Sequence, residues 1–165
     1  MTANQVEIKV AMLLNYRVYT IVPNVSWGLG LSHECDMLCL DRKGRFTEIE
    51  IKVSASDLKA DFKKAHGHQS NIISRLFYAM PIALCEKYAD LIPRDCGIIA
   101  IKQQEIRGAL VYRAEYYRQC RHRVKQLPSS DTIQKFMELG CMRIWTLKSA
   151  LHQAKQELKR IKSNC

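Results

Sequence analysis

Apolar positions recur along this chain with two periods, and each period predicts a different kind of element. Over residues 3–14, Val6, Val10, Leu13 and Leu14 fall on one face at helical spacing, which predicts an opening helix. Residues 17–25 alternate as a strand does. Next comes an apolar run, Met37-Leu38-Cys39-Leu40, headed by Asp36; then 46–53 sets Glu48, Glu50 and Lys52 against Ile49, Ile51 and Val53. Between them, Asp41-Arg42-Lys43-Gly44-Arg45 has the composition of a reversal. A hairpin centred near residue 43 sets Asp36 beside Glu50, with Glu48, Glu50 and Lys52 on one face.

The remaining elements follow in the same way. Ser54 opens a helix over 56–65 that presents Leu58, Phe62 and Ala65 together. Residues 77–84 read as a buried strand followed by a short helix over 86–91. Strands at 96–101 and 109–113 are separated by a turn over 104–108. Pro128-Ser129-Ser130-Asp131 starts another helix, with Gly140 near a break. From 146 to 162, Leu147, Leu151, Ala154, Leu158 and Ile161 recur at three or four, a stripe suited to packing in cis or to pairing with a second copy as a homodimer. The fold class is α/β, a mixed central sheet of four or five strands flanked by helices, with a basic C-terminal helical extension.

Length and composition narrow the classes. A chain of 165 residues with 47% hydrophobic content supports one domain with a real core. No apolar run approaches the roughly 20 residues of a membrane span, so no membrane partner is expected. Glu7 and Lys9 interrupt the apolar N-terminal stretch, unlike a signal peptide. Seven cysteines without CxxC or zinc-like spacing indicate reduced thiols and a cytoplasmic setting. Net charge is +10 and lopsided: residues 1–101 carry 12 Lys/Arg against 11 Asp/Glu, whereas 102–165 carry 14 against 5. Such a basic excess points to a polyanion, with nucleic acid the natural partner.

The chain accordingly divides into a domain over 1–113 and a basic linker with helical extension over 114–165. In the linker, Arg118, Arg121, Arg123 and Lys125 interleave with Tyr116 and Tyr117, a mixture able to pair phosphates and stack on bases; a solvated basic segment has the same composition. Gln69, Asn71 and Arg75 are further candidate phosphate contacts, or ordinary surface polarity. Trp27 is expected to cap the core, His33 to be a solvated loop histidine, and His66 and His68 to sit in a loop.

Two carboxylates and an ammonium converging at the open end of a hairpin suit a hard divalent cation, which takes oxygen ligands and keeps positions for water and a phosphate. Glu48 shares that face, as a third ligand or, as expected here, a solvated strand residue. Asp36, followed across a hairpin by Glu50-Ile51-Lys52, resembles the PD-(D/E)xK, or restriction-endonuclease-like, nuclease superfamily. The stretches 52–64, 77–81 and 91–100 resemble its small stand-alone bacterial and phage branch, which includes the MmcB-like DNA repair proteins. The resemblance spans residues 3–112. One departure is Cys35, where the family often has proline.

The resemblance implies a restriction-endonuclease-like fold in which Asp36, Glu50 and the backbone carbonyl of Ile51 hold Mg²⁺ or Mn²⁺. Lys52 orients the attacking water and offsets phosphate charge, and Glu7 matches an acidic position near the metal. The expected activity is metal-dependent hydrolysis of DNA phosphodiester bonds, in repair, recombination or phage nucleic-acid processing. The alternatives are a catalytically silent nuclease-fold subunit that binds nucleic acid, or a helix-mediated assembly protein.

Overall fold

The computed structural model describes residues 1–26, 28–31, 33–63, 70–123 and 126–163. It opens with helix α1, Ala3–Leu13, capped by Thr2: the Gln5 N–H donates to the Thr2 hydroxyl while the Thr2 N–H donates to Gln5 Oε1, satisfying two end donors at once. Six strands follow: β1 Thr20–Val25, β2 Cys35–Leu40, β3 Phe46–Ile51, β4 Ile73–Pro81, β5 Gly97–Ile106 and β6 Ala109–Arg118. They form one sheet in chain order. The β3–β4 and β4–β5 pairs are parallel and the other three antiparallel, so the sheet is mixed, with one or two strands more than expected. Helix α2, Ala55–Asp61, makes the first parallel crossover; α3, Ile82–Tyr88, with a 3-10 turn at Ala89–Leu91, makes the second. Helix α4, Ser130–Ser163, ends the described chain.

The hairpin between β2 and β3 has the expected register. Asp41 fixes the turn by accepting from the N–H groups of Lys43 and Arg45, and Gly44 supplies the left-handed residue at φ +73°. Met37 then pairs with Ile49 and Leu38 with Glu48, which brings Asp36 level with Glu50.

Alternation along the strands sends one set of residues to each face. Val6 and Val10 of α1, with Leu14 at its C-cap, cover Ile49, Ile51, Phe77, Ala79, Ile99 and Ile101. The opposite face buries Leu58 of α2 and Cys85 of α3 against Leu76, Tyr78, Met80, Ile98 and Ala100. A third cluster joins β1 and β2 to α4, where the Phe136 ring meets Phe46 edge-on at 5.0 Å.

Several local expectations change. The last hairpin is longer than its apolar pattern suggests, because β5 and β6 continue as exposed ribbon to a two-residue turn, Arg107-Gly108, both with positive φ. Residues 114–118 are therefore strand, not the opening of a linker. Helix α2 stops at Asp61, and Ala65 lies outside the described residues. Gly140 does not break α4; a Cβ there would lie 3.0 Å from Val22 Cγ2, so glycine lets the helix approach β1 closely. Among the described residues no helix is long and apolar enough to cross a membrane, and the six described cysteines are free thiols.

Candidate active site

Beyond the Met37–Ile49 pair the β2–β3 ladder stops, and a side chain takes over its hydrogen bonding. The Ile51 N–H donates to Asp36 Oδ2 at 2.7 Å, which puts this carboxylate against the peptide linking Glu50 to Ile51. A strand residue directs its N–H and C=O to the same side, so the Ile51 carbonyl also faces the fork. Asp36 is partly exposed there. Half-buried Glu7 of α1 lies close enough that its carboxyl is held above the ordinary value, by burial first and then by the Asp36 charge.

Glu50 and Lys52 point to the α2 face and are closed in. Lys52 Nζ lies 3.0 Å from Glu50 Oε2 and 3.0 Å from Asp61 Oδ1, while the Tyr78 hydroxyl donates to Asp61 Oδ2 at 3.1 Å. Glu50, Lys52 and Asp61 are each 3% exposed or less. Burial, the largest influence on Lys52, works to lower its pKa; Glu50 and Asp61 outweigh it and hold the ammonium above its usual range. Burial, followed by the Asp61 charge, pushes the Tyr78 phenol upward.

Glu48 is not a solvated strand residue, and His33 is not a solvated loop residue. Glu48 is fully buried, and its Oε1 lies 2.7 Å from His33 Nε2. A carboxylate with no water to solvate it requires such a partner, and the loop ahead of β2 supplies one. Cys35 joins them with its Sγ 3.8 Å from the same nitrogen, its thiol pushed upward by burial and then by Glu48. These three donors lie within 4.8 Å of one another. Two donors bound about 2.0 Å from one tetrahedral ion stand about 3.3 Å apart, so the 2.7 Å contact has the dimensions of a hydrogen bond.

Asp61 and Tyr78 were not anticipated as site residues. Asp61 follows Leu58 by three on a helix, the spacing that puts a carboxylate on a buried face; Tyr78 alternates with Leu76 and Met80 toward the same face.

The candidate phosphate contacts scatter. Arg75 lies on the α1 face, level with Thr47 at the far end of β3, with Nη2 3.1 Å from His122 Nε2. It lines a cleft of about 450 Å³ with Tyr19, Thr47, Tyr116 and Gln119, away from Lys52. Asn71 is exposed ahead of β4. Arg118 is a staple: its guanidinium donates to the carbonyls of Ala89, Ile92, Pro93 and Cys96 at 2.9–3.1 Å, which uses up the fork that a phosphate would need. Arg123 is half-committed, with Nε 2.6 Å from Asp95 Oδ2. Arg121 faces solvent. Gln69 and Lys125 lie outside the described residues, as do Trp27, His66 and His68.

A family model described as DNA repair protein MmcB-like matches residues 1–151. Among solved structures, a protein of unknown function from Silicibacter pomeroyi, SPO1766, superposes with a TM-score of 0.65 over 94% of each chain at 23% identity. No curated protein shows significant similarity to this sequence.

Proposed function

Because this chain belongs to the MmcB-like DNA repair family, whose fold is restriction-endonuclease-like, we propose that it is a Mg²⁺- or Mn²⁺-dependent nuclease hydrolysing DNA phosphodiester bonds. The observation that carries this reading is the Asp36 carboxylate seated at the β2–β3 fork, against the peptide between Glu50 and Ile51. Asp36, Glu50, the Ile51 carbonyl and Glu7 would hold the cation. All are oxygen donors, the set that Mg²⁺ and Mn²⁺ prefer. The Glu7 carboxyl, raised beside Asp36, marks a place where a positive charge relieves repulsion.

Such an ion, when bound, neutralises the scissile phosphate and lowers the pKa of coordinated water. The chain's own residues do the remainder. Lys52 keeps its proton because two carboxylates flank it, and so offers a fixed positive charge to a pentacovalent phosphate. Asp61 also holds Lys52 and is itself oriented by Tyr78. His33 anchors Glu48, the strand neighbour two residues ahead of Glu50.

A second reading, a nuclease-fold subunit that binds DNA without cutting it, is favoured by one observation: Glu50, Lys52 and Asp61 are sealed from solvent. Manganese-dependent melting separates the two readings. A cation that binds only the folded chain raises its melting temperature by mass action, and the nuclease reading expects a shift in wild type that Asp36→Ala abolishes. Parallel incubation with labelled duplex, single-stranded and branched DNA would then rank substrates. A shift that survives Asp36→Ala, or no shift at any manganese concentration, rejects the proposed cation site.

A further inference from the structure

Helix α4 outruns the domain that supports it. Phe136 packs on Phe46, Gly140 lies against Val22, and Arg143 Nη2 donates to the Asn24 carbonyl at 2.8 Å. From 144 to 163 every residue is exposed, including Ile144 at 62%, Leu147 at 62%, Leu151 at 55%, Leu158 at 53% and Ile161 at 57%. An isolated helix of about 20 residues is marginal in water, and most helical stability comes from packing an apolar face.

These residues are helical throughout. Ile144, Leu147, Leu151, Ala154, Leu158 and Ile161 are separated by three, four, three, four and three, the seam of a coiled coil. At about 100° per residue, all six fall within roughly 60° of the direction in which Gly140 faces β1. The stripe that packs on the domain thus continues past the edge of the sheet with none of the described residues beneath it.

We propose that a second copy of this chain covers the seam, in an antiparallel coiled coil over residues 144–161. The seam is self-complementary when reversed. Its spacing reads the same in both directions, and antiparallel alignment stacks Ile144 on Ile161, Leu147 on Leu158 and Leu151 on Ala154 of the second copy. Large meets small at the centre, as close packing requires, and the contact is isologous about a two-fold axis. In that register Ser163 of the second copy stands level with Met142, next to the contacts that tie α4 to β1. In a parallel pair the second copy's 136–143 would need the space that β1 occupies. Taking roughly 100 Å² for each half-exposed Leu or Ile, the two helices cover about 1,000 Å², where specific interfaces begin.

The charge pattern adds a signature. Antiparallel pairing brings Lys148 beside Lys155 of the second copy on the solvated flank. That repulsion is weak and screened, far smaller than the steric exclusion facing a parallel pair. Added salt therefore strengthens this dimer, whereas it weakens attachment to DNA.

Sedimentation equilibrium of the full chain at micromolar concentration tests the proposal. The expected mass is twice 19.1 kDa, tighter at higher salt. Leu151→Lys returns it to the monomer mass with domain melting unchanged, since Leu151 is 55% exposed and lies about two turns beyond the contact of Arg143 with Asn24. In a Cys141→Ser, Cys165→Ser background, Ile144→Cys mixed with Ile161→Cys forms an intermolecular disulfide, and Ile144→Cys alone does not. A monomeric wild type, a Leu151→Lys protein that stays dimeric, or self-crosslinking of Ile144→Cys would each overturn it, the last by showing a parallel pair. A chain that is monomeric alone but pairs with a different helical protein counts against it equally.

Discussion

Truncating Asp61 to alanine should cost far more stability than its place at the end of a seven-residue helix suggests. The carboxylate accepts from Lys52 at 3.0 Å and from Tyr78 at 3.1 Å, and all three side chains are buried. Breaking a buried ion pair costs about 3–5 kcal/mol when the remaining charge has no other partner. Here Glu50 stays 3.0 Å from Lys52, which reduces the expected loss to about 2 kcal/mol. Losing the Tyr78 hydrogen bond adds about 1 kcal/mol. A total near 3 kcal/mol corresponds to a fall in Tm of roughly 6–12 °C for a chain of this length. Urea denaturation followed by circular dichroism reads the loss directly. Asp61→Asn keeps an acceptor for Tyr78 and should lose about 2 kcal/mol, chiefly the charge. A loss below about 1 kcal/mol for Asp61→Ala would refute the claim that Asp61 holds Lys52. Equal losses for Asn and Ala would show that the tyrosine hydrogen bond contributes nothing.

Other perturbations follow from the same geometry. The folded-state pKa of Glu7 is raised, so its stabilising contribution is full below the ordinary glutamate range and is lost as pH rises through the raised value. Glu7→Gln should therefore match wild type near pH 4 and exceed it at pH 7 in chelator; millimolar Mn²⁺ should narrow the gap, and a pH-independent difference would contradict the placement of Glu7 beside Asp36. Arg118→Ala should lower stability by about 2 kcal/mol, through four lost hydrogen bonds, although the Ala89 and Pro93 carbonyls keep the N–H groups of Ile92 and Cys96 as donors, and leave DNA affinity unchanged. Arg121→Ala should do the reverse, sparing stability while reducing the salt slope of DNA binding by about one; filter binding at several salt concentrations checks both. Phe136→Ala should cost about 3–5 kcal/mol and free α4 from the β1–β2 edge, seen as faster hydrogen exchange over 130–143.

The hairpin was legible in the sequence because two strong local rules act together there. Turn chemistry at Asp41–Arg45 fixes where the chain reverses, and strict alternation then decides which residues face each other. What local rules could not reveal was which face would be covered. Glu48, Glu50 and Lys52 carry the charge pattern of a solvated strand, yet they are buried: His33 of the preceding loop partners Glu48, Asp61 of α2 partners Lys52, and Lys52 in turn partners Glu50. Arginine is ambiguous for a related reason. The guanidinium of Arg118 suits a phosphate or a cluster of carbonyls equally well, and only the 3-10 turn at Ala89–Leu91 with the chain after it brings four carbonyls to it. The β5–β6 ribbon was underestimated because its outer half lacks a buried face, so no apolar period marks it. Asp61 was within reach of helical spacing, but a seven-residue helix offers too few turns for a single carboxylate to stand out.

Whether the residues at the β2–β3 fork cut DNA, as proposed above, is read from the single-turnover rate of cleavage of labelled DNA in Mn²⁺, for wild type, Glu50→Ala and Lys52→Ala purified identically. Loss of a ligand or of the fixed ammonium should lower the rate on the order of a hundredfold or more, with activity absent in chelator. Equal rates in all three proteins, or cleavage that persists without divalent cation, would contradict the account.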